Sequence, residues 1–177
     1  MKAMKVMAVL IGVAGLAMTA QADMFVWDGG AGTVNFGDAD NWDPDGSTFT
    51  AADEYQITDG SSVTVGSSYS IGAFDLSNGS ALTVGSGNTL TVNTSNNTDL
   101  NTATLTVDGT LDFGSARWDV GGVGNDFSCT VNGTLNSSGN FYAGYRMNAE
   151  IEVNGTVDMK VTRLGGSLSS GVVRKSV

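Results

Sequence analysis

The chain has 177 residues, a net charge of −10, one cysteine and no histidine. The acidic balance excludes nucleic acid and anionic lipid surfaces as partners, because both would be repelled. The lack of histidine excludes the usual general base and the histidine-dependent catalytic triads, and with one cysteine it disfavours zinc. With 41% hydrophobic and 15% charged residues and a single proline, the composition is typical of a folded chain of many short strands.

Residues 1–22 have the pattern of a secretory signal peptide. A positive start is followed by the apolar run Val6–Met18 and by the small-x-small sequence Ala20-Gln21-Ala22. This run is shorter than the about 20 residues that a spanning helix needs, and no later segment is apolar enough to span. We therefore expect cleavage before Asp23, export to the surface or surroundings of a bacterium, and no membrane insertion of the mature chain. Cleavage removes two of the eight basic residues and none of the 18 acidic ones, which leaves a net charge of −12.

Residues 23–59 do not repeat, and the stretch from Asp23 to Tyr55 is both aromatic and acidic. A non-repeating segment of this kind is suited to cap the end of a repetitive fold, where strand edges would otherwise be exposed. We therefore expect residues 23–59 to be an N-terminal cap.

The acidic cluster in residues 38–46 matches the first half of the calcium-loop pattern D-x-[DN]-x-[DN]-G. The match then fails, because Ala52 stands where that pattern has glutamate and an aspartate follows one residue late. One hypothesis is a calcium site, since carboxylate and amide oxygens suit this ion. The alternative is a solvated acidic loop in which Asn41-Trp42 only helps to cap the fold. The candidate calcium ligands are Asn41, Asp43, Asp45 and Asp53.

Residues 60–177 carry an internal repeat. Three segments align on glycines at positions 109, 133 and 155, namely 105–111 (LTVDGTL), 129–135 (CTVNGTL) and 151–157 (IEVNGTV). A weaker copy begins upstream at Leu82, and a second feature recurs at nearly the same spacing: Val120-Gly121, Ala143-Gly144 and Leu164-Gly165. A fixed period in the twenties predicts a solenoid of about five coils with about 22–24 residues each. A β-sandwich, the alternative, does not require one constant period.

Alternation of apolar and polar residues within each copy predicts short strands with one face inside. Coils stacked about 4.8 Å apart would place like residues over like. We expect Val107, Val131 and Val153 to form an interior ladder. Cys129 falls at an inward position, so we expect a small buried residue rather than a reactive thiol or an intermolecular bridge. Trp118 and Phe141 also align, with the same spacing as Val120 and Ala143.

The Asp/Asn-Gly pair in each copy predicts a corner. We expect Asp108, Asn132 and Asn154 to form a hydrogen-bonded ladder there, as stacked amides do in cross-β structures. We expect the glycine that follows each of them to adopt a positive φ, which glycine does at no steric cost. The last coil, in residues 171–177, has no cap in the printed sequence. We therefore expect either a truncated gene product or an edge that pairs end to end with another copy.

Three segments at the N-terminal end carry a family resemblance: Trp27-Asp28-Gly29-Gly30, then Asn41-Trp42, then Asp53–Ile57. Their order resembles that of bacterial exported β-helix proteins with autotransporter-associated β-strand repeats, many of which carry PEP-CTERM sorting tails. The resemblance covers nearly the whole mature chain and implies a right-handed parallel β-helix displayed at, or released from, the cell envelope. It implies no catalytic residues. The printed sequence departs from the family in having no sorting tail after residue 177.

Some residues of the coils could grip a sugar chain by charge and stacking, namely Arg117, Trp118, Asp119, Tyr142, Tyr145 and Arg146. The alternative is that they are ordinary outward side chains, since no acidic pair recurs beside them and a hydrolase needs two carboxyl groups across a groove. We predict an all-β, right-handed parallel β-helix that is not an enzyme and serves as an exported structural or adhesin-like surface element. Glycans or other envelope proteins are the expected partners. The alternative function is a calcium-assisted polysaccharide-binding or lyase-like β-helix.

Overall fold

The computed structural model describes residues 22–93, 97–115, 117–120, 126–143, 148–164 and 170–175. The predicted signal peptide lies outside the described residues, apart from its last residue. No helix in these ranges combines the length and the apolar character that crossing a membrane requires.

The described ranges contain one short 3-10 helix and 17 strands, which fits a sequence rich in small polar residues and poor in helix formers. The 3-10 helix is Ala39–Asn41. The strands are β1 Met24–Trp27, β2 Trp42–Asp43, β3 Glu54–Ile57, β4 Ser62–Val65, β5 Tyr69–Ile71, β6 Ala73–Ser77, β7 Ala81–Val84, β8 Thr89–Val92, β9 Asn97–Asn101, β10 Ala103–Val107, β11 Thr110–Asp112, β12 Arg117–Val120, β13 Asp126–Val131, β14 Thr134–Ala143, β15 Asn148–Val153, β16 Thr156–Leu164 and β17 Ser170–Lys175.

These strands stack as the predicted parallel β-solenoid. One face is a six-stranded sheet in the order β4-β7-β10-β13-β15-β17, in which each strand comes from the next pass of the chain. Two further stacks of strands, β5-β8-β11 and β1-β3-β6-β9-β12, meet in one sheet through the long strand β14, and β16 pairs with β14. Between the described strands, every pair is parallel except β1 with β2, which is antiparallel. The solenoid prediction is therefore confirmed, and a sandwich is wrong.

The register of the six-stranded sheet follows the sequence repeat. Val107 lies beside Val131, and Val131 lies beside Val153, which confirms the interior ladder. The neighbouring rung places Cys129 between Leu105 and Ile151. Cys129 is buried, and this burial raises the pKa of its thiol to about 12. The prediction of a buried core cysteine is confirmed.

The second repeated feature of the sequence, which begins at Val120, Ala143 and Leu164, is also in register, because β12, β14 and β16 follow the same period. Val120 pairs with Ala143, which pairs with Leu164. Trp118 pairs with Phe141, as their shared spacing predicted.

The corner ladder forms as predicted. The Asn132 Nδ2 group donates a hydrogen bond to Asp108 Oδ1 at 2.7 Å, and Asn154 Nδ2 donates to Asn132 Oδ1 at 3.0 Å. The reason we expected for the adjoining glycines is wrong, because Gly133 and Gly155 do not have positive φ values. A Cβ atom on Gly133 would lie 2.6 Å from the Asp108 carbonyl oxygen and closer still to that of Gly109. Glycine is needed at these corners because successive coils approach closely there.

The N-terminal residues pair with the first coil in two places. Strand β1 pairs in parallel with β3 and antiparallel with β2. On the six-stranded sheet, Thr64 N donates to Val34 O at 2.7 Å and Phe36 N donates to Thr64 O at 2.8 Å. Between these two contacts lies a cluster of aromatic rings with Phe36 at its centre. Its members are Phe25, Trp27, Phe36, Trp42, Phe49, Tyr55 and Tyr69.

Candidate functional site

The first candidate site is the N-terminal loop with the four predicted calcium ligands. Asn41 is fully buried, and both ends of its side-chain amide are in use. Its Oδ1 atom accepts a hydrogen bond from Ala31 N at 3.0 Å, and its Nδ2 atom donates to Thr33 Oγ1 at 3.0 Å and to Asn35 O at 3.2 Å. Asn41 therefore holds the 31–35 loop in shape.

Both carboxylate oxygens of the predicted ligand Asp53 also accept hydrogen bonds from neighbouring residues. Its Oδ1 atom accepts from Asp23 N at 3.2 Å, and its Oδ2 atom accepts from Thr50 N at 3.2 Å and Thr50 Oγ1 at 2.7 Å. Asp43 and Asp45 are exposed. Within the described ranges, no group of three or more acidic or cysteine side chains could hold a metal ion. Calcium binding at these four residues stays a prediction, without a gathered set of ligands to support it.

The residues that we considered for gripping a sugar chain are only partly described. The backbone register places Trp118 beside Phe141 and Asp119 beside Tyr142, on adjacent coils. Tyr145 and Arg146 lie outside the described residues.

A second candidate site is a polar ladder that sequence reasoning did not select. Strand β11 pairs with β14 and β14 with β16, and this register stacks Asp112 over Asn136 and Asn136 over Asp158. These three positions are spaced as the repeat glycines at 109, 133 and 155 are, so the signal was present in the sequence. With strands about 4.8 Å apart, the two aspartates are two spacings, or roughly 10 Å, apart along the stack.

This ladder borders an open groove with a volume of about 430 Å³. The described residues that line this groove, which we call the β11–β16 groove, are Asp112, Asn136, Ser137, Ser138, Asp158 and Met159. No lysine or arginine is among these described lining residues. Gly114 N donates to Asp112 Oδ1 at 2.8 Å, which fixes one oxygen of that carboxylate.

Ser137 is the unusual residue of the groove. It is only 6% exposed, and its hydroxyl has no hydrogen-bond partner among the described residues. The strand register places it beside Met159, which packs partly buried against the core. The hydroxyl oxygen is itself buried, so it faces the interior of the stack and not a molecule in the groove. A buried polar group without a partner costs about 1–3 kcal/mol of stability.

The outer face of the six-stranded sheet is a third feature. Thr64, Thr83, Thr106 and Thr130 lie in register on four successive strands. They alternate with the fully buried residues of the interior ladder, so their side chains point outward and each is partly exposed. The result is a row of hydroxyl groups at a spacing of about 4.8 Å.

Comparison with protein families, with curated proteins and with solved structures gave no match to this chain.

Proposed function

We propose that this protein is a non-enzymatic, exported surface solenoid, structural or adhesin-like, which presents its strand ladders to partners outside the cell. The observation that carries the proposal is the in-register threonine row Thr64, Thr83, Thr106 and Thr130 on the six-stranded sheet. A parallel stack holds such a row rigidly, because each strand is hydrogen-bonded on both sides. Glycans and the surfaces of envelope proteins offer the hydroxyl and amide groups that this row can bind.

The chemistry of the chain supports a binding role over a catalytic one. No histidine is available as a general base, and the only cysteine is buried, with a thiol pKa raised to about 12. A nucleophilic thiol needs a low pKa and an accessible position, and Cys129 has neither.

The test removes hydroxyl groups without changing shape. Replacing Thr64, Thr83, Thr106 and Thr130 together by valine keeps the branched outline of each side chain and its preference for strands. The matched control makes the same four changes on another face, in the in-register row Thr89, Thr110, Thr134 and Thr156.

Binding of the mature chain to a glycan array and to bacterial envelope fragments is measured for all three proteins. We expect the first variant to lose at least tenfold in binding and the control to keep it, with no new reducing or unsaturated ends released from any polymer. Equal binding by the parent and the first variant would show that the threonine row takes no part in binding. Release of products would contradict the non-enzymatic proposal.

Export and family membership belong to the same proposal. We propose that residues 1–22 direct export and that the chain is one of the exported β-helix proteins with autotransporter-associated repeats. The mass of the mature protein recovered from bacteria that express the full chain should correspond to a first residue at Asp23. A protein that retains residues 1–22 in the membrane fraction would contradict this.

We also propose end-to-end association through strand β17. Among the described residues, β17 is hydrogen-bonded only to β15, and an open strand edge is a template for pairing with a second chain. Sedimentation velocity should detect a concentration-dependent dimer, whereas a single monomeric species at all concentrations would contradict it.

A further inference from the structure

We propose that removal of residues 1–22 stabilises the N-terminal end of the solenoid, because the α-ammonium group that cleavage creates on Asp23 forms an ion pair with the buried carboxylate of Asp53. This inference rests on the proposed cleavage before Asp23. It goes beyond export, because it gives the new N-terminus a partner within the fold and makes the stability of this end depend on processing.

The position of the Asp23 nitrogen is the observation that carries the proposal. Asp23 N lies 3.2 Å from Asp53 Oδ1, which is inside the distance of about 4 Å that defines an ion pair. Asp53 is only 4% exposed, whereas Ala22 is exposed. The residue that cleavage removes therefore lies in solvent, and the nitrogen that remains already contacts a buried carboxylate.

Cleavage changes the charge of this nitrogen. Hydrolysis of the bond between Ala22 and Asp23 adds one water molecule and leaves a carboxylate on Ala22 and an ammonium group on Asp23, because the proton of the new acid passes to the new amine. The α-amino group of a peptide is mostly protonated at neutral pH. A neutral N–H donor thus becomes a cation, and the attraction between opposite charges grows as the effective dielectric constant falls on burial.

The Asp53 carboxylate gains from a cation at this place. Among the described residues, the groups that donate to it are Asp23 N, Thr50 N and Thr50 Oγ1, and all three are neutral before cleavage. Residues 23–116 contain no lysine or arginine, so the new terminus is the one cationic group of that whole stretch. A buried carboxylate is costly unless it is hydrogen-bonded and paired, and the ammonium group supplies the pairing.

The ion pair lies where the first strand joins the coils. Glu54 N donates to Asp23 O at 2.8 Å, and the neighbouring Met24 pairs with Glu54 at the start of the β1–β3 ladder. The Asp53 carbonyl oxygen accepts from Gly72 N at 2.8 Å, in the next pass of the chain. Asp53 is thus fixed to the following coil, and the ion pair fixes the first residue of the mature chain to Asp53.

The experiment compares the chain 23–177 with the chain 22–177, each released from a fusion protein by a protease that leaves a defined first residue. In the longer chain, Asp23 N is an amide that can keep its hydrogen bond, and the ammonium group lies on the exposed Ala22. We expect the shorter chain to melt at a temperature higher by at least about 3 °C. The amide of Glu54, which donates to Asp23 O, should also exchange its hydrogen more slowly in the shorter chain.

Two variants, each made in both chains, identify the cause of the difference. Asp53→Asn removes the negative charge and keeps the size of the side chain, so it should abolish the difference between the two chains. The matched control is Thr50→Val, which removes the hydrogen bond of 2.7 Å from Thr50 Oγ1 to the same carboxylate and leaves its charge in place. Thr50→Val should lower both melting temperatures and leave the difference between the chains unchanged.

Three results would overturn the proposal. They are equal melting temperatures together with equal Glu54 exchange in the two parent chains, a difference that persists in Asp53→Asn, and a difference that disappears in Thr50→Val. If Asp53→Asn does not fold, the exchange of the Glu54 amide in the two parent chains still decides the matter. Because the first residue of each chain is fixed in advance, the result is independent of the mass measurement that tests cleavage before Asp23, and the two failures can be told apart.

Discussion

The corner glycines permit a quantitative test of how the coils are packed. In the Gly133→Ala variant, the added Cβ would lie 2.6 Å from the Asp108 carbonyl oxygen, far inside van der Waals contact, and the obstacle is backbone that cannot rotate away. This clash can be relieved only if the coil that contains Gly133 moves away from the coil that contains Asp108. Three backbone hydrogen bonds cross this point: Asn132 N and Gly133 N donate to Val107 O at 2.9 and 2.8 Å, and Thr134 N donates to Gly109 O at 2.8 Å. At about 1 kcal/mol each, the variant should lose roughly 3 kcal/mol of unfolding free energy.

The assay is thermal and urea unfolding followed by circular dichroism. For a chain of this size, about 1 kcal/mol corresponds to about 2–4 °C, so a loss of roughly 3 kcal/mol predicts a melting temperature lower by roughly 6–12 °C. The control is Gly79, which has a φ of +83° and has no atom within 4 Å of an added Cβ. In the Gly79→Ala variant, only the positive φ is unfavourable, and it should lower the free energy of unfolding by about 1–2 kcal/mol.

Asparagine distinguishes the two causes, because it tolerates a positive φ better than alanine does but has the same Cβ. At Gly79, asparagine should be less destabilising than alanine, whereas at Gly133 it should be at least as destabilising. If Gly133→Ala costs less than about 1 kcal/mol, the value of a single hydrogen bond, or if asparagine is the better substitute at Gly133, close approach of the coils is not the reason for glycine at the corner.

Three further predictions concern other parts of the chain. Replacing Asn132 by aspartate removes the donor to Asp108 and places a second negative charge beside it. At neutral pH and low salt, Asn132→Asp should therefore lower the free energy of unfolding more than Asn132→Ala does, and the difference between the two variants should shrink at about 1 M salt. A difference between the variants that is the same at both salt concentrations would contradict this. Burial raises the pKa of Cys129 to about 12, so its contribution to stability is fully present below about pH 9 and is lost as the pH rises toward 12. Alkylation at pH 8 should therefore be slow in the native protein and fast in urea, and fast native labelling would refute the buried placement. If the calcium hypothesis is correct, added calcium should raise the melting temperature of the parent protein but not that of the Asp43→Asn, Asp45→Asn double variant. A melting temperature of the parent that does not change with added calcium would contradict the hypothesis.

The repetitive part of the fold was predictable because one constraint acts on every coil. Stacked parallel strands must keep one register, so a constant period in the sequence translates directly into ladders such as Val107-Val131-Val153 and Asp108-Asn132-Asn154. The same period does not reveal why a corner needs glycine. A positive φ and a close approach of two backbones both exclude a side chain, and only coordinates separate these two causes at Gly133.

The non-repeating and functional features were harder to predict. The pairing of Val34 and Phe36 with Thr64 joins segments that share no pattern, so no periodicity marks it. The sequence partly indicates the β11–β16 groove, because Asp112 and Asp158 follow the spacing of the repeat. The burial of the Ser137 hydroxyl without a partner among the described residues could not be predicted, because it depends on the three-dimensional surroundings of one atom.

The stacking has a consequence for the size of the molecule. Among the described residues, the strands of the coils pair only with strands of the adjoining coils, and no contact there fixes how many coils there are. Excising one whole unit, for example residues 110–133, would join Gly109 to Thr134 and bring Val107 beside Val153 with the same kind of neighbour as before. Gene duplication or deletion can therefore lengthen or shorten the protein in steps of one coil, and each step adds or removes one equal strip of exposed surface.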